Sequence, residues 1–345
     1  MSESAQPLTL GSPRLPAGHA DWAAAAAAMG PAEAAAATQG DFALAATLAD
    51  GRTVLSVDRF AAQTLCWRLD EGRLRYAAQA NALGASEVDV QAVFDYLFFH
   101  AVPSPRTIFR GVHRVPPGHC VVAAGGHVTV APYWRPQFHP DPHPDFDALR
   151  QEFREALRTA VQGQLRAGKP ACFLSGGTDS STVTGLVKQL AGSVATYSIG
   201  FDAEGYDEMA FARIAARHFG AEHHEYYVTP QDLVRGIAQV AAAFDQPFGN
   251  SSALPAWCCA AQARADGVQR LLAGDGGDEL FGGNARYATQ QLYGHYGRVP
   301  AALRRGLVEP LLRLPGAERV RLLRRGGNYV RDAQIPLPDR LQLYN

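Results

Sequence analysis

The chain reads as an α/β protein, a doubly wound parallel sheet preceded by a small antiparallel β-rich region. Three observations predict this. Residues 170–185 pass from a short apolar stretch, Ala171 to Leu174, through Ser175-Gly176-Gly177 into a helix-like segment. Residues 268–284 repeat the pattern, with an apolar strand candidate, Leu271 to Ala273, entering a second glycine loop. Residues 41–134 carry apolar runs in pairs around turn signals, as antiparallel hairpins do.

Length and composition bound the problem. The 345 residues leave room for two domains and a sizeable core. A net charge of −1 gives no electrostatic case for nucleic acid or an anionic membrane surface. Cys66, Cys120, Cys172, Cys258 and Cys259 show neither metal nor disulfide spacing, and Cys258 and Cys259 suit small buried positions on a helix. Such usage fits a reducing cytoplasm. No apolar run reaches membrane length, and the start lacks a basic region followed by an apolar core.

Taken in order, residues 1–40 are poorly specified. Ser12-Pro13 and Leu15-Pro16 suggest a loose start. Trp22 to Met29 and Ala32 to Ala37, broken at Gly30-Pro31, read as two short helices or a flexible lead, neither able to build a core. In residues 41–134, Phe42 to Leu48 and Thr53 to Val57 flank Asp50-Gly51, and Leu65 to Leu69 and Leu74 to Ala78 flank Asp70-Glu71-Gly72. Val88 to Phe99 reads as a helix, and His119 to Val122 and Val128 to Val130 flank Gly125-Gly126. Residues 135–146 are a linker rich in Pro, His and Asp. Residues 147–345 form the second domain. Asp147 to Gln164 is an amphipathic helix with Phe153, Leu157 and Val161 on one face. After the central motif come a strand candidate, Val194 to Phe201, and a helix opened by Tyr206-Asp207-Glu208, whose two acids suit its first turn. Glu222-His223-His224-Glu225 invites a zinc reading, but adjacent histidines in a strand point to opposite faces and no third ligand stands at metal spacing. Helical stretches such as Ala301 to Leu314 fill the tail.

The two glycine loops carry the chemistry. A strand, a glycine turn and a helix aim backbone N–H groups and a positive helix end at one small volume, which suits phosphate. Ser175 and Ser180 add hydroxyl donors, and Val183, Leu186, Val187 and Leu190 are spaced for the helix. This is not a Walker A loop, because no Gly-Lys-Ser/Thr follows. Lys169 precedes the turn instead. Asp179 beside phosphate calls for a bridging cation such as Mg²⁺; the alternative is an ordinary turn with a capping Asp. The second loop holds Asp275, Asp278 and Glu279, three carboxylates within five residues. They are either a solvated acidic turn or a cation site. Ligands collect at the carboxyl ends of parallel strands, so the two loops can share one crevice, with Asp179 and Asp278 holding Mg²⁺ between them.

Ser-Gly-Gly-Thr-Asp-Ser resembles the pyrophosphate loop of the ATP-pyrophosphatase superfamily. With Gly-Asp-Gly-Gly-Asp-Glu-Leu-Phe-Gly-Gly it resembles the synthetase domain of class B asparagine synthetases. The resemblance covers about Gly40 to Asn345. Gly40-Asp41-Phe42-Ala43-Leu44-Ala45, Asp58-Arg59-Phe60 and Tyr76-Ala77-Ala78-Gln79 are similar to the later half of that family's Ntn-type glutaminase domain. Pro103 to Phe109 and Val115 to His119 are similar to the segment leading into its synthetase domain. Phe244-Asp245-Gln246-Pro247 and Asn250-Ser251-Ser252-Ala253-Leu254-Pro255 resemble its substrate-side loop, where an N-cap by Ser251 or Ser252 is the competing reading.

The resemblance implies ATP-dependent amidation. A carboxylate, aspartate first among candidates, becomes an acyl-adenylate with release of pyrophosphate, and ammonia or an amine then displaces AMP. Ser175, Gly176, Gly177, Asp179 and Ser180 would hold the pyrophosphate, with Asp179 and Asp278 on Mg²⁺. Leu174, Ile199, Gly200, Ala273 and Gly274 would line the nucleoside. Asp275 stands where many asparagine synthetases carry Glu, as a base or amine-orienting group. A homodimer is compatible with it. Two departures qualify the match. The glutaminase needs an N-terminal cysteine, whereas Met1-Ser2 stands here and no cysteine precedes Cys66. Glutaminase activity is therefore expected to be absent, and Ser2 is a poor substitute. The family's distal phosphate-contacting lysine has no counterpart, since the only lysines are Lys169 and Lys188. The chain therefore reads as incomplete at its C-terminus, or as one in which an arginine such as Arg286, Arg304 or Arg305 supplies that charge. Two alternatives stay open: a lactam-forming synthetase of the β-lactam synthetase or lasso-peptide cyclase type, and an inactive nucleotide-binding remnant.

Overall fold

A computed structural model of the protein describes residues 6–165, 168–201, 207–312, 314, 316, 319–337, 339 and 340. Ser2, Tyr206 and the side chain of Arg286 lie outside the described residues. Two compact units are present, residues 1–146 with 234–254, and residues 147–233 with 255–345. Among the described residues no helix is long and apolar enough to cross a membrane.

The first unit runs β1 (Leu8–Gly11), α1 (Trp22–Met29), α2 (Pro31–Ala37), β2 (Phe42–Thr47), β3 (Thr53–Val57), β4 (Cys66–Asp70), β5 (Arg73–Ala77), α3 (Val90–Phe99), β6 (His113–Arg114), β7 (His119–Ala124) and β8 (His127–Pro132). One antiparallel sheet has the order β1-β2-β3-β7-β8, and a second has the order β5-β4-β6. The expected hairpins form, with Ala45 opposite Leu55 and Leu69 opposite Leu74.

Strand β2 is apolar without alternation because both of its faces are buried. Phe42, Leu44 and Ala46 pack toward Trp22, Ala25, Ala26 and Ala34. Ala43 and Ala45 turn the other way, into a cluster with Leu55, Leu65, Trp67 and Val121. This corrects the reading of residues 1–40 as a lead unable to build a core. The small alanine face of α1 and α2 lets the helices lie close to the sheet, and the bulk comes from Trp22, Phe42 and Leu44. Asp21 caps α1 by accepting a hydrogen bond from Ala24 N at 2.8 Å. The loose start is also tied down, since β1 pairs with β2 and Arg14 bridges Gln39.

Asp58 locks the end of β3. Its buried carboxylate accepts hydrogen bonds from the backbone N–H groups of Phe42 (3.1 Å), Phe60 (2.9 Å), Ala62 (3.2 Å) and Gln63 (3.4 Å).

The second unit contains α4 (Phe146–Gln164), β9 (Ala171–Phe173), α5 (Thr178–Ala191), β10 (Ala195–Phe201), α6 (Met209–Phe219) and β11 (Glu222–Val228). Helix α7 (Pro230–Ala243) leads out of it and α8 (Ala253–Ala265) leads back. Then follow β12 (Leu271–Leu272), α9 (Gly277–Phe281) and α10 (Ala285–Arg298). The sheet order is β11-β10-β9-β12 and every pairing is parallel. The order reverses at β9, so the first and fourth strands of this sheet lie side by side. Helices cover both faces. Ala171 and Tyr197 pack with Cys259 and Ala263 of α8, while Cys172 packs with Val161 of α4 and Val187 of α5. The expected helix from Ala301 is segmented into Ala301–Leu303, a π-helical turn Arg304–Val308, and Glu309–Leu312.

Two substitutions test the first unit. Trp22→Ala is expected to cost roughly 3–5 kcal/mol in urea denaturation, where a flexible lead would cost nothing. Asp58→Ala is expected to cost on the order of 2–3 kcal/mol by the same measurement, because buried backbone donors lose their acceptor.

Candidate functional site

The site is built where β9 and β12 end side by side. Leu174 follows β9 and is buried, its N–H bonded to Tyr197 O at 3.0 Å. The chain then turns at Gly176, whose φ of +87° favours glycine. A side chain on Gly176 would also collide with the backbone of Phe211 and Ala212 in α6. Gly177 caps α5 without any side-chain hydrogen bond, so the helix start is left to a ligand or solvent. Ser175 and Ser180 face each other, their Oγ atoms 3.0 Å apart, and Gly177 N donates to Ser175 Oγ at 3.3 Å.

The second loop packs directly against this turn. A Cβ on Gly274 would lie 2.8 Å from the Asp179 backbone and from Ser180 N. A Cβ on Gly277 would collide with the Asp179 carboxylate. The structure therefore brings together Ser175, Gly176, Gly177, Asp179 and Ser180 with Gly274 and Gly277. Asp278 follows Gly277 in α9, and its carboxylate lies against Gly283. Asp179, Asp275, Asp278 and Glu279 are all exposed, and among the described residues none of them forms an ion pair. Unpaired carboxylate oxygens beside an open helix start suit a hard cation such as Mg²⁺, which takes one or two carboxylates and leaves its other positions to phosphate and water. Asp179 and Asp278, one on each loop, are the candidates for it. Among the described residues no cluster of three or more His, Cys, Asp or Glu side chains is formed as a metal site.

Beside the first turn lies a cavity of about 220 Å³. Leu174, Ser175 and Ile199 line it, together with Phe173, Tyr197, Phe201, Glu208, Met209 and Cys259. Gly200 does not line it. Its missing side chain admits the ring of Tyr227 from β11, which would meet a Cβ at 2.6 Å. Ala273 and Gly274 sit on the second loop, outside this lining. Sequence reasoning missed Tyr227, and it read Glu208 as a first-turn acid where the structure sets it at the cavity. A glycine inside a strand was the available signal for a close neighbour at Gly200. The Tyr227 hydroxyl donates to Asp207 at 3.3 Å, and Asp207 also accepts from Met209 N at 3.1 Å, so Asp207 holds the chain just before α6 while Glu208 borders the cavity.

Neither lysine reaches the loops. Lys169 bonds Glu222 at 2.7 Å beside the amino ends of the strands, and Lys188 donates to Gly220 O at 3.4 Å. The Arg304 guanidinium lies 5.2 Å from the centre of the Tyr296 ring. His223 bonds Thr196 Oγ1 at 2.9 Å, while His224 stacks on Tyr197, so the adjacent histidines do part to separate partners.

A family model described as asparagine synthase matches residues 152–336, more than half of the chain. The chain belongs to the asparagine synthase family. A second model, a glutamine amidotransferase domain, matches residues 23–134. Glutamine-hydrolyzing asparagine synthetase 1 of Bacillus subtilis is 29% identical over 285 residues, 81% of this chain and 45% of its own length. A relative in Methanocaldococcus jannaschii is 31% identical over 222 residues, 63% of this chain and 42% of its own. Glutamine-hydrolyzing asparagine synthetase B of Escherichia coli is 25% identical over 251 residues, 68% and 43%. The chain thus spans less than half the length of these relatives.

All five cysteines of this family member are reduced and buried. Burial pushes Cys66 and Cys259 up to about 12 and Cys120 and Cys172 up to about 11. The nearby Asp245 carboxylate adds to the rise at Cys66. Each thiol is therefore held protonated near neutral pH, a poor nucleophile.

Gly277→Ala is expected to weaken binding of Mg·ATP by at least about tenfold in calorimetry, as the loops are forced apart. Gly294→Ala, in open space on α10, leaves binding unchanged and adds roughly 0.5–1 kcal/mol of helix stability. Iodoacetamide at pH 8 is expected to label the folded chain far more slowly than the unfolded one, read by mass spectrometry. The raised thiols stabilise the fold fully below the ordinary thiol value of 9.0, and that contribution is lost as pH rises through 11 to 12, so the urea midpoint falls across that window.

Proposed function

We propose that this protein carries out ATP-dependent amidation, as a carbon–nitrogen ligase that activates a carboxylate as its adenylate. The observation that carries this reading is the contact of the two glycine loops at the ends of β9 and β12, next to a nucleoside-sized cavity. Membership of the asparagine synthase family supports it.

In this reading the base and ribose of ATP enter the cavity bounded by Leu174 and Ile199. The triphosphate lies over Ser175 to Ser180, where backbone N–H groups, two hydroxyls and the α5 dipole stabilise the pyrophosphate as it departs. Mg²⁺, held by Asp179 and Asp278, would supply charge neutralisation on the phosphates. The substrate carboxylate oxygen attacks the α-phosphorus, and the bond to the β-phosphate oxygen breaks. An amine nitrogen then attacks the acyl carbon, the bond to AMP breaks, and the nitrogen gives up a proton. Asp275, exposed on the second loop, is the residue suited to orient the amine or take that proton.

Aspartate is the leading acyl substrate, by analogy with the relatives' names. In this reading the amine is free ammonia, which is supported by the burial and raised thiols of this chain's cysteines, poor nucleophiles toward glutamine. The same burial favours a second reading, in which the amine belongs to the substrate and a lactam forms. These steps take place in a reducing cytoplasm.

Pyrophosphate release from ATP and Mg²⁺, with aspartate and ammonium added or withheld, tests the reading. Release that requires aspartate supports asparagine formation. Release only with a carboxylate that carries its own amine supports the lactam reading. ATP binding without release, whichever carboxylate is offered, would leave the nucleotide-binding remnant. Asp179→Asn and Asp278→Asn are each expected to lower release by about a hundredfold or more, near 2.7 kcal/mol of barrier. Unchanged turnover in both would overturn the cation assignment.

A further inference from the structure

A groove of about 600 Å³ lies between α4 and α5 in the second unit, with Phe219 at the end of α6 as its third side. It shares no lining residue with the cavity beside Leu174. Its wall is apolar, made by Phe153, Leu157, Leu186 and Phe219.

The sides of the groove are held apart by their own neighbours. The Phe153 ring meets the Phe281 ring of α9 edge-on, with the centres 4.9 Å apart. The Phe219 ring lies on Gly185, where a Cβ would stand 2.8 Å from it, and it meets the His218 ring edge-on at 4.8 Å. Neither aromatic ring can swing in to fill the groove without giving up these contacts. Close packing fills such gaps wherever side chains can reach. A preformed space of this size suits a small organic molecule.

The rim sets the charge of that molecule. Arg154 and Arg158 stand one turn apart on α4 and both border the groove, as does Glu155. All three are exposed, and among the described residues none of them forms an ion pair. Exposed arginines commonly lay their stems over apolar surface and leave the charge to water. These two flank an open apolar wall, so one molecule can reach the wall and both guanidinium groups together. Two guanidinium charges less one carboxylate leave +1 at the rim, which a monoanion balances. A carboxylate accepts from guanidinium groups in pairs of charge-assisted hydrogen bonds.

We propose that this groove is a binding site for a small monocarboxylate with a hydrocarbon body. The carboxylate lies between Arg154 and Arg158, and the body packs on Phe153, Leu157, Leu186 and Phe219. The site is separate from the nucleotide cavity and stands whether or not the amidation reading does.

Calorimetry on the full chain, with octanoate as the probe, tests this. Octanoate is expected to bind at one saturable site, with octanol and octylamine at least about tenfold weaker. Arg154→Ala with Arg158→Ala should weaken octanoate by at least about tenfold, while Arg154→Lys with Arg158→Lys should retain most of the affinity. Gln189 is exposed on the α5 side of the groove, so Gln189→Trp should fill the space and weaken octanoate at an unchanged urea midpoint. Mg·ATP should leave octanoate binding unaltered. Absence of saturable octanoate binding overturns the proposal. So does equal binding of octanol, which would mark an apolar patch alone. Unchanged affinity in both the double alanine variant and Gln189→Trp overturns it, and so does displacement of octanoate by Mg·ATP, which would put the probe in the nucleotide cavity.

Discussion

The second unit depends on one close approach, that of a glycine loop to the Asp179 carboxylate. Parallel pairing of β9 with β12 brings the two strand ends together, but adjacency alone does not make a site. The loops meet because Gly274 and Gly277 present no side chain where Asp179 and Ser180 stand. That absence of bulk places acidic residues beside an uncapped helix start. Repulsion among the carboxylates is tolerable because they are exposed, and water or a cation screens them. Glycine is therefore required here for space as much as for backbone freedom.

The parts legible in the sequence are those encoded within a few residues. Asp50-Gly51 announces its hairpin, and Ser175-Gly176-Gly177 announces its strand-to-helix turn, because turn chemistry is local. The two glycine loops were legible for the same reason, each being contiguous. What stayed hidden depends on partners far along the chain. The alanines of α1 and α2 show weak amphipathicity of their own; their burial is decided by Phe42 and Leu44. The role of Gly200 depends on Tyr227 across a strand pair, and the turn at Asp245 depends on Ala80 and Ile108, more than a hundred residues earlier. Sequence spacing cannot express these pairings.

The boundaries of family resemblance and of physical packing also differ. The asparagine synthase match runs without a break from 152 to 336, while residues 234–254 are packed with the first unit. Helices α7 and α8 carry the chain out and back. A cut made at the linker, on resemblance alone, would separate the Asp245 turn from Cys66, Ala80, Ile108 and Arg114, which lie against it.

The alanine-rich stretch has a further thermodynamic consequence. Alanine has no side-chain rotamers to lose, so ordering α1 and α2 against the sheet freezes backbone freedom alone. The entropy lost to side-chain order in that layer falls on Trp22, Met29, Phe42 and Leu44, while Ala25, Ala26, Ala34 and Ala35 contribute contact surface at almost no entropic cost. A segment that looks poor in information is a core layer whose free energy is unusually insensitive to side-chain motion. Its tolerance is correspondingly one-sided, since nearly every replacement adds both volume and rotamers to a space that has room for neither.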